Sequence, residues 1–70
     1  MEIEAKNDLI GKTIQDINIP GDFIVVALRR MQGVVIPEPE TVLKNKDILM
    51  GVVKVSSLQA VREKFNLGEK

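Results

Sequence analysis

Seventy residues carrying ten basic and ten acidic side chains have a formal net charge of zero. That excludes a generic nucleic-acid binder, which gathers a basic excess on one face. With no histidine, cysteine or tyrosine, no serine with a plausible base nearby and no evident buried carboxylate pair, an enzyme or a zinc site is not expected.

The size makes one small domain over residues 1–70, which buries only about 60% of its unfolded surface. Without cysteines, oligomerisation is the remaining common route to extra burial, so a homodimer or a piece of a larger chain is expected. The longest apolar run, Phe23 to Leu28, falls far short of the roughly 20 residues that span a bilayer. Met1-Glu-Ile-Glu lacks a signal-peptide pattern. A cytoplasmic location and no membrane insertion are expected. Phe23 and Phe65 are the only aromatics, too few for a base-stacking platform, so no direct nucleic-acid contact is expected either.

In chain order, Met1 to Ala5 alternates, with Glu2 and Glu4 on one side and Ile3 and Ala5 on the other. That predicts a half-exposed strand. Leu9 to Ile17 places Ile10, Ile14 and Ile17 at helical spacing and predicts a short helix buried along that stripe. Gly11-Lys12-Thr13 resembles the end of a phosphate loop, but the upstream glycine and leading strand are missing, so a helix start is the better reading. Pro20-Gly21 marks a turn.

Phe23-Ile-Val-Val-Ala-Leu-Arg-Arg-Met-Gln-Gly-Val-Val-Ile-Pro37 follows. Its β-branched apolar run predicts a strand buried on both faces. Gly33 supplies the turn, Val34-Val35-Ile36 pairs back as a hairpin arm, and Pro37 ends the ladder. Strict alternation puts Arg29 with Phe23, Val25 and Ala27, and Arg30 with Ile24, Val26 and Leu28. The two arginines then face opposite sides unless a bulge intervenes. One is suited to a phosphate or carboxylate in a cleft; the plainer alternative pairs both with acids such as Glu38 or Glu40.

Glu38-Pro39-Glu40 is an extended loop, and its two acids are read as solvated rather than as metal ligands. Thr41 to Leu43 is a short extended piece. Ile48 to Val55 returns as a strand, with Gly51 marking a bulge or a close backbone approach. Ser56 and Gln59 have capping-box spacing for a last helix whose buried face is Leu58, Val61 and Phe65, with Gly68 as its stop. The pattern predicts an α+β domain: a small antiparallel or mixed sheet, two short helices packed largely on one face, and a dimer.

Leu9-Ile-Gly-Lys-Thr-Ile-Gln-Asp-Ile17, Val25-Val-Ala-Leu-Arg-Arg30, Val35-Ile-Pro37, Thr41-Val-Leu43 and Asp47-Ile-Leu49 together resemble the TrkA C-terminal domain. That domain is also the C-terminal lobe of RCK regulators of potassium conductance. The resemblance implies a cytoplasmic, dimeric, ligand-sensing domain serving a potassium or other cation channel or transporter. Its partner would be a membrane subunit, reached through an attached Rossmann lobe, which places the domain peripheral to the inner face of the membrane. It implies a small ligand in the dimer cleft, cyclic di-AMP in several members, and no other cofactor. By position, the ligand residues fall on Phe23, Ile24, Arg29, Val35 and Pro37. Ala27 and Val34 stand where those members carry an aspartate and an asparagine, and Lys46 stands where the family prefers glycine. The alternatives are a plain dimerisation module without ligand and the sensor half of a transcription regulator.

Overall fold

Four strands form one antiparallel sheet in the computed structural model, which describes residues 1–65. They are β1 (Glu2–Glu4), β2 (Phe23–Arg30), β3 (Gly33–Val35) and β4 (Ile48–Val53), in the spatial order β1-β4-β2-β3. Two helices, α1 (Ile14–Ile17) and α2 (Leu58–Lys64), add their buried residues to the core on one side of it. The expected α+β arrangement stands, with antiparallel pairing throughout the described sheet.

Alternation in β1 buries Ile3 and Ala5 and exposes Glu2 and Glu4, as their spacing predicts. The β2–β3 hairpin forms as expected, pairing Leu28 with Val35 and Arg30 with Gly33. Gly33 takes a φ of 130°, a backbone conformation that L side chains rarely adopt. On the core side, Ile3, Phe23, Val25, Leu28 and Leu49 from the sheet meet Ile14, Ile17, Leu43 and Val61. The Phe65 ring at the end of α2 lies 5.5 Å from that of Phe23 at an interplanar angle of 56°. This tilted arrangement adds a little to the area both rings bury. The Gly68 stop lies outside the described residues.

Three expectations about the elements are corrected. The helix predicted over Leu9 to Ile17 is a single turn beginning at Ile14. Its start is fixed by a capping box in which the Asp16 N–H donates to Thr13 Oγ1 and the Thr13 N–H to Asp16 Oδ2. Upstream, Thr13 forms an isolated antiparallel bridge with Val42, flanked by Gly11 N–H to Leu43 O at 2.9 Å and Ile14 N–H to Thr41 O at 3.0 Å. Those backbone bonds outcompete a helix, and Ile10 leaves the stripe and is exposed. Gly11-Lys12-Thr13 is thus a helix start, with its amides already engaged.

The second correction concerns α2, which starts at Leu58 without a side-chain cap. The hydroxyl of Ser57 donates instead to Asp22 Oδ1 at 2.6 Å, tying the helix to the start of β2. Residues 55–57 form a 3-10 turn, so β4 ends at Val53 rather than Val55.

The third concerns β2. Its predicted burial on both faces holds for one face alone: Ile24 and Val26 remain 50% and 49% exposed. The helices cover the other face, and nothing within the described chain covers this one. Lys46 takes a φ of 75° in the turn before β4. A glycine would enter that conformation without the steric strain a lysine meets there.

Candidate functional site

The sheet turns one apolar face to the helices and a second to the outside. Which residues reach the second face is decided by a bulge in β2. Val25 pairs with Gly51 and Ala27 with Met50, leaving Val26 as an extra residue. Gly51 makes room for this: a Cβ there would overlap the Phe23 ring, with Cζ only 2.7 Å away. The large ring can lie across the β4 backbone because position 51 has no side chain.

A bulge shifts the alternation by one residue. Before it, Phe23 and Val25 point to the core; after it, Leu28 and Arg30 do. Leu28 is fully buried, which contributes about 2 kcal/mol relative to an exposed side chain. The expectation that Arg29 shares the face of Phe23 and Val25 is therefore corrected. Arg29 lies on the outer face, with Ile24 and Val26.

Arg30 is occupied. Its Nε and Nη2 donate to Oδ1 and Oδ2 of Asp47, each at 3.0 Å, and Nη2 also donates to the Val42 carbonyl at 2.8 Å. The Lys44 N–H donates to Asp47 Oδ2 at 2.9 Å. Asp47 is only 3% exposed, and its own carbonyl accepts the Ala5 N–H at 2.7 Å. This bidentate pair is geometrically well matched, and Asp47 gains a further bond from the Lys44 N–H. The pair fastens β2 to the segment entering β4, and the Nε–Nη2 edge of the guanidinium, the one suited to bidentate binding, is already engaged. The acids expected to partner the arginines, Glu38 and Glu40, do not: Arg30 takes Asp47, and Arg29 takes Glu2.

Arg29 is loosely held. Its Nη1 lies 3.5 Å from Glu2 Oε2, with both side chains about half exposed (50% and 57%). Such surface pairs contribute between nothing and about 1 kcal/mol, so the guanidinium can be redirected. Val34 and Ile48 flank it across the sheet, and the same outer face carries Ile24, Val26 and Val52 farther along, about half exposed or more, with Met50 partly buried on β4. Glu2 and Glu4 rim the β1 side, each directly opposite a β4 residue, Met50 and Ile48 respectively.

The five residues expected to bind a ligand do not share one surface. Ile24 and Arg29 lie on the outer face. Phe23 is 1% exposed and sits in the core, and Val35 packs against that core from β3. Pro37 lines a groove of about 430 Å³ together with Ile14, Asn18, Val25, Glu38 and Pro39. Asp47 and Asn18, to which the sequence alone assigns no bonding role, are both engaged here. A lone carboxylate directly before an apolar strand, in a chain with tandem arginines, was the available signal for Asp47. Asn18 had none, because the Val25 N–H it accepts lies on a strand edge that exists only in the assembled sheet.

The profile of the TrkA-C domain family matches residues 1–66. The chain belongs to the TrkA-C family. No curated protein matches it. Two solved structures share the fold of this TrkA-C domain. One, described as an RCK domain with cda, is 20% identical with a TM-score of 0.72, covering 93% of this chain and 94% of that one. The other is the RCK_C domain dimer of S. agalactiae BusR in complex with c-di-AMP. It is 22% identical with a TM-score of 0.71, covering 97% of this chain and 96% of that one. No described helix of the TrkA-C domain is long and apolar enough to cross a membrane.

Proposed function

We propose that this TrkA-C domain is a dimeric, ligand-sensing regulatory module of a potassium or other cation channel or transporter system. The observation that carries this reading is the open outer face. Ile24, Val26, Val34 and Val52 form an uncovered apolar surface on a domain too small to leave one without consequence. A second copy laid on that face would bury it and create a cleft. Arg29, free of a strong partner, would supply the cleft with a guanidinium suited to a phosphate. Ile24 would line the same cleft; Phe23 and Val35 would support it from the core side of the sheet, and Pro37 from the groove it lines.

Ligand in the cleft would favour one dimer geometry, and an attached lobe or a membrane subunit would read that geometry out. The reading carries no catalytic role and a location on the cytoplasmic side, where such a membrane partner is reached. Cyclic di-AMP is the first ligand to try, since both fold neighbours were solved with such a ligand. A plain dimerisation module is the second reading. It is favoured by Ala27 and Val34, which give the face no further polar group beside Arg29.

Sedimentation and titration calorimetry separate the two readings. A ligand sensor sediments as a dimer and gives saturable heat with cyclic di-AMP, another nucleotide or calcium, and Arg29→Ala weakens a phosphate ligand at least tenfold. A stable dimer silent to all of them is the plain module. A monomer at high micromolar concentration removes both.

A further inference from the structure

Lysines collect at the end of the sheet where β2 finishes and β4 begins. Two segments meet there, 5–12 and 42–47. The Ala5 N–H donates to the Asp47 carbonyl at 2.7 Å, and the Lys46 N–H to the Ala5 carbonyl at 3.2 Å. Farther along, the Leu43 N–H donates to the Lys12 carbonyl at 2.8 Å. These bonds bring Lys6, Lys12, Lys44 and Lys46 to one end of the molecule, and all four are exposed. Neither ion pair among the described residues uses a lysine. Of the acids on the same two segments, Asp47 is neutralised by Arg30, which leaves Asp8.

Apolar side chains stand among these cations. Met31, in the turn of the β2–β3 hairpin, directly follows Arg30, which is bonded to Asp47 and to the Val42 carbonyl; the Met31 side chain is fully exposed. Ile10 and Val42 are 42% and 45% exposed on the two segments themselves. A net charge of zero thus conceals a basic end with apolar residues interleaved. Lys46 adds a second observation. Its φ of 75° is one that a glycine takes without strain, so its ammonium is carried at a cost to the backbone that the turn itself does not require.

The kind of partner follows from the chemistry of these groups. Lysine is a compact point charge on a flexible stem, whereas a shaped phosphate or carboxylate site uses the arginine fork. Arg30, the arginine bonded to these segments, has that edge engaged within the protein. Phe23 and Phe65, the two aromatics, pack against each other, so nucleic-acid bases have nothing to stack on. What remains suits an extended field of negative charge above an apolar layer, with ammonium groups at headgroup level and Met31 below them.

We infer that this end of the domain docks on an anionic lipid surface through Lys6, Lys12, Lys44 and Lys46, with Met31 entering the headgroup layer. Such docking needs no ligand in the cleft proposed above. Because the contact is made at the strand ends, it also leaves the outer face of the sheet uncovered.

Flotation of the whole chain with lipid vesicles tests this. Vesicles of two parts phosphatidylcholine to one part phosphatidylglycerol are expected to carry the protein at low salt, and phosphatidylcholine alone is not. Lys44→Gln combined with Lys46→Gln should weaken the partition roughly tenfold. Lys54→Gln combined with Lys64→Gln removes equal charge elsewhere and should leave it within about twofold. Lys46→Gly separates the charge from the fold: the melting temperature is held or raised while vesicle binding weakens several-fold. Absence of flotation with the anionic vesicles overturns the inference, as does an equal loss from both lysine pairs. So does a chain that ignores the vesicles yet is retained through Lys44 and Lys46 by polyglutamate or RNA, since lipid is then the wrong partner.

Discussion

Arg29 and Arg30 are consecutive residues of one strand, and their surroundings have little in common. Arg30 grips a buried carboxylate with two parallel bonds and a backbone carbonyl with a third contact. Arg29 reaches across the solvent face to a glutamate that is itself mostly wet. The same contrast runs along the whole of β2, whose inner residues are packed and whose outer residues are half open. A single strand here does two jobs. The inner side carries stability, while the outer side keeps its interactions weak enough to be exchanged for a partner's.

The contrast is broken most forcefully at Arg30. Removing its guanidinium strands the Asp47 carboxylate in the interior, so Arg30→Ala is expected to lower the unfolding free energy by about 3 kcal/mol. Urea denaturation checks this, and a loss below about 1 kcal/mol would mean that the Lys44 N–H satisfies Asp47 unaided.

A matched pair of substitutions beside the bulge tests which side is which. Val25→Thr puts a hydroxyl into the core and should cost about 2 kcal/mol. Val26→Thr, one residue on, should cost under about 0.5 kcal/mol in dilute protein, as surface changes do. Equal costs would mean that the bulge does not divide the strand as described. A Val26→Thr cost that grows with protein concentration would show a second copy covering the outer face.

The smallest expected effect on folding belongs to Arg29. Arg29→Ala should change stability by no more than about 0.5 kcal/mol, because an exposed ion pair contributes little. A loss comparable with that of Arg30→Ala would erase the distinction between the two arginines.

Much of this fold was legible in the residues. The alternation of Glu2, Ile3, Glu4 and Ala5, the Gly33 turn and the apolar spacing of Leu58, Val61 and Phe65 each reflect local preference, and each formed where expected. The same was true of the family, whose collinear segments survive even where single positions differ. What escaped was non-local. The isoleucine stripe at residues 10, 14 and 17 has helical spacing, yet pairing between 11–14 and 41–43 takes the first of those positions away. The bulge goes with Phe23 crossing Gly51, a contact that appears only once the elements are assembled. Since the facing of both arginines follows from that bulge, alternation alone assigned them to the wrong sides. Lys46 shows the reverse case: the family's preference for glycine pointed to a φ of 75° that the lysine adopts regardless.

The two borders of the sheet bear on what the open apolar face can associate with. Sheets grow without limit when an unpaired border strand accepts another copy, whereas two copies stacked face to face close on themselves and stop. Here β3 is three residues long and is followed closely by Pro37, which has no N–H to offer a newcomer. At the other border, β1 is equally short and carries Glu2 and Glu4, whose charges would meet their own copies in any border-to-border addition. The sequence thus discourages fibre growth at both borders, and the open apolar face can persist without being an aggregation hazard.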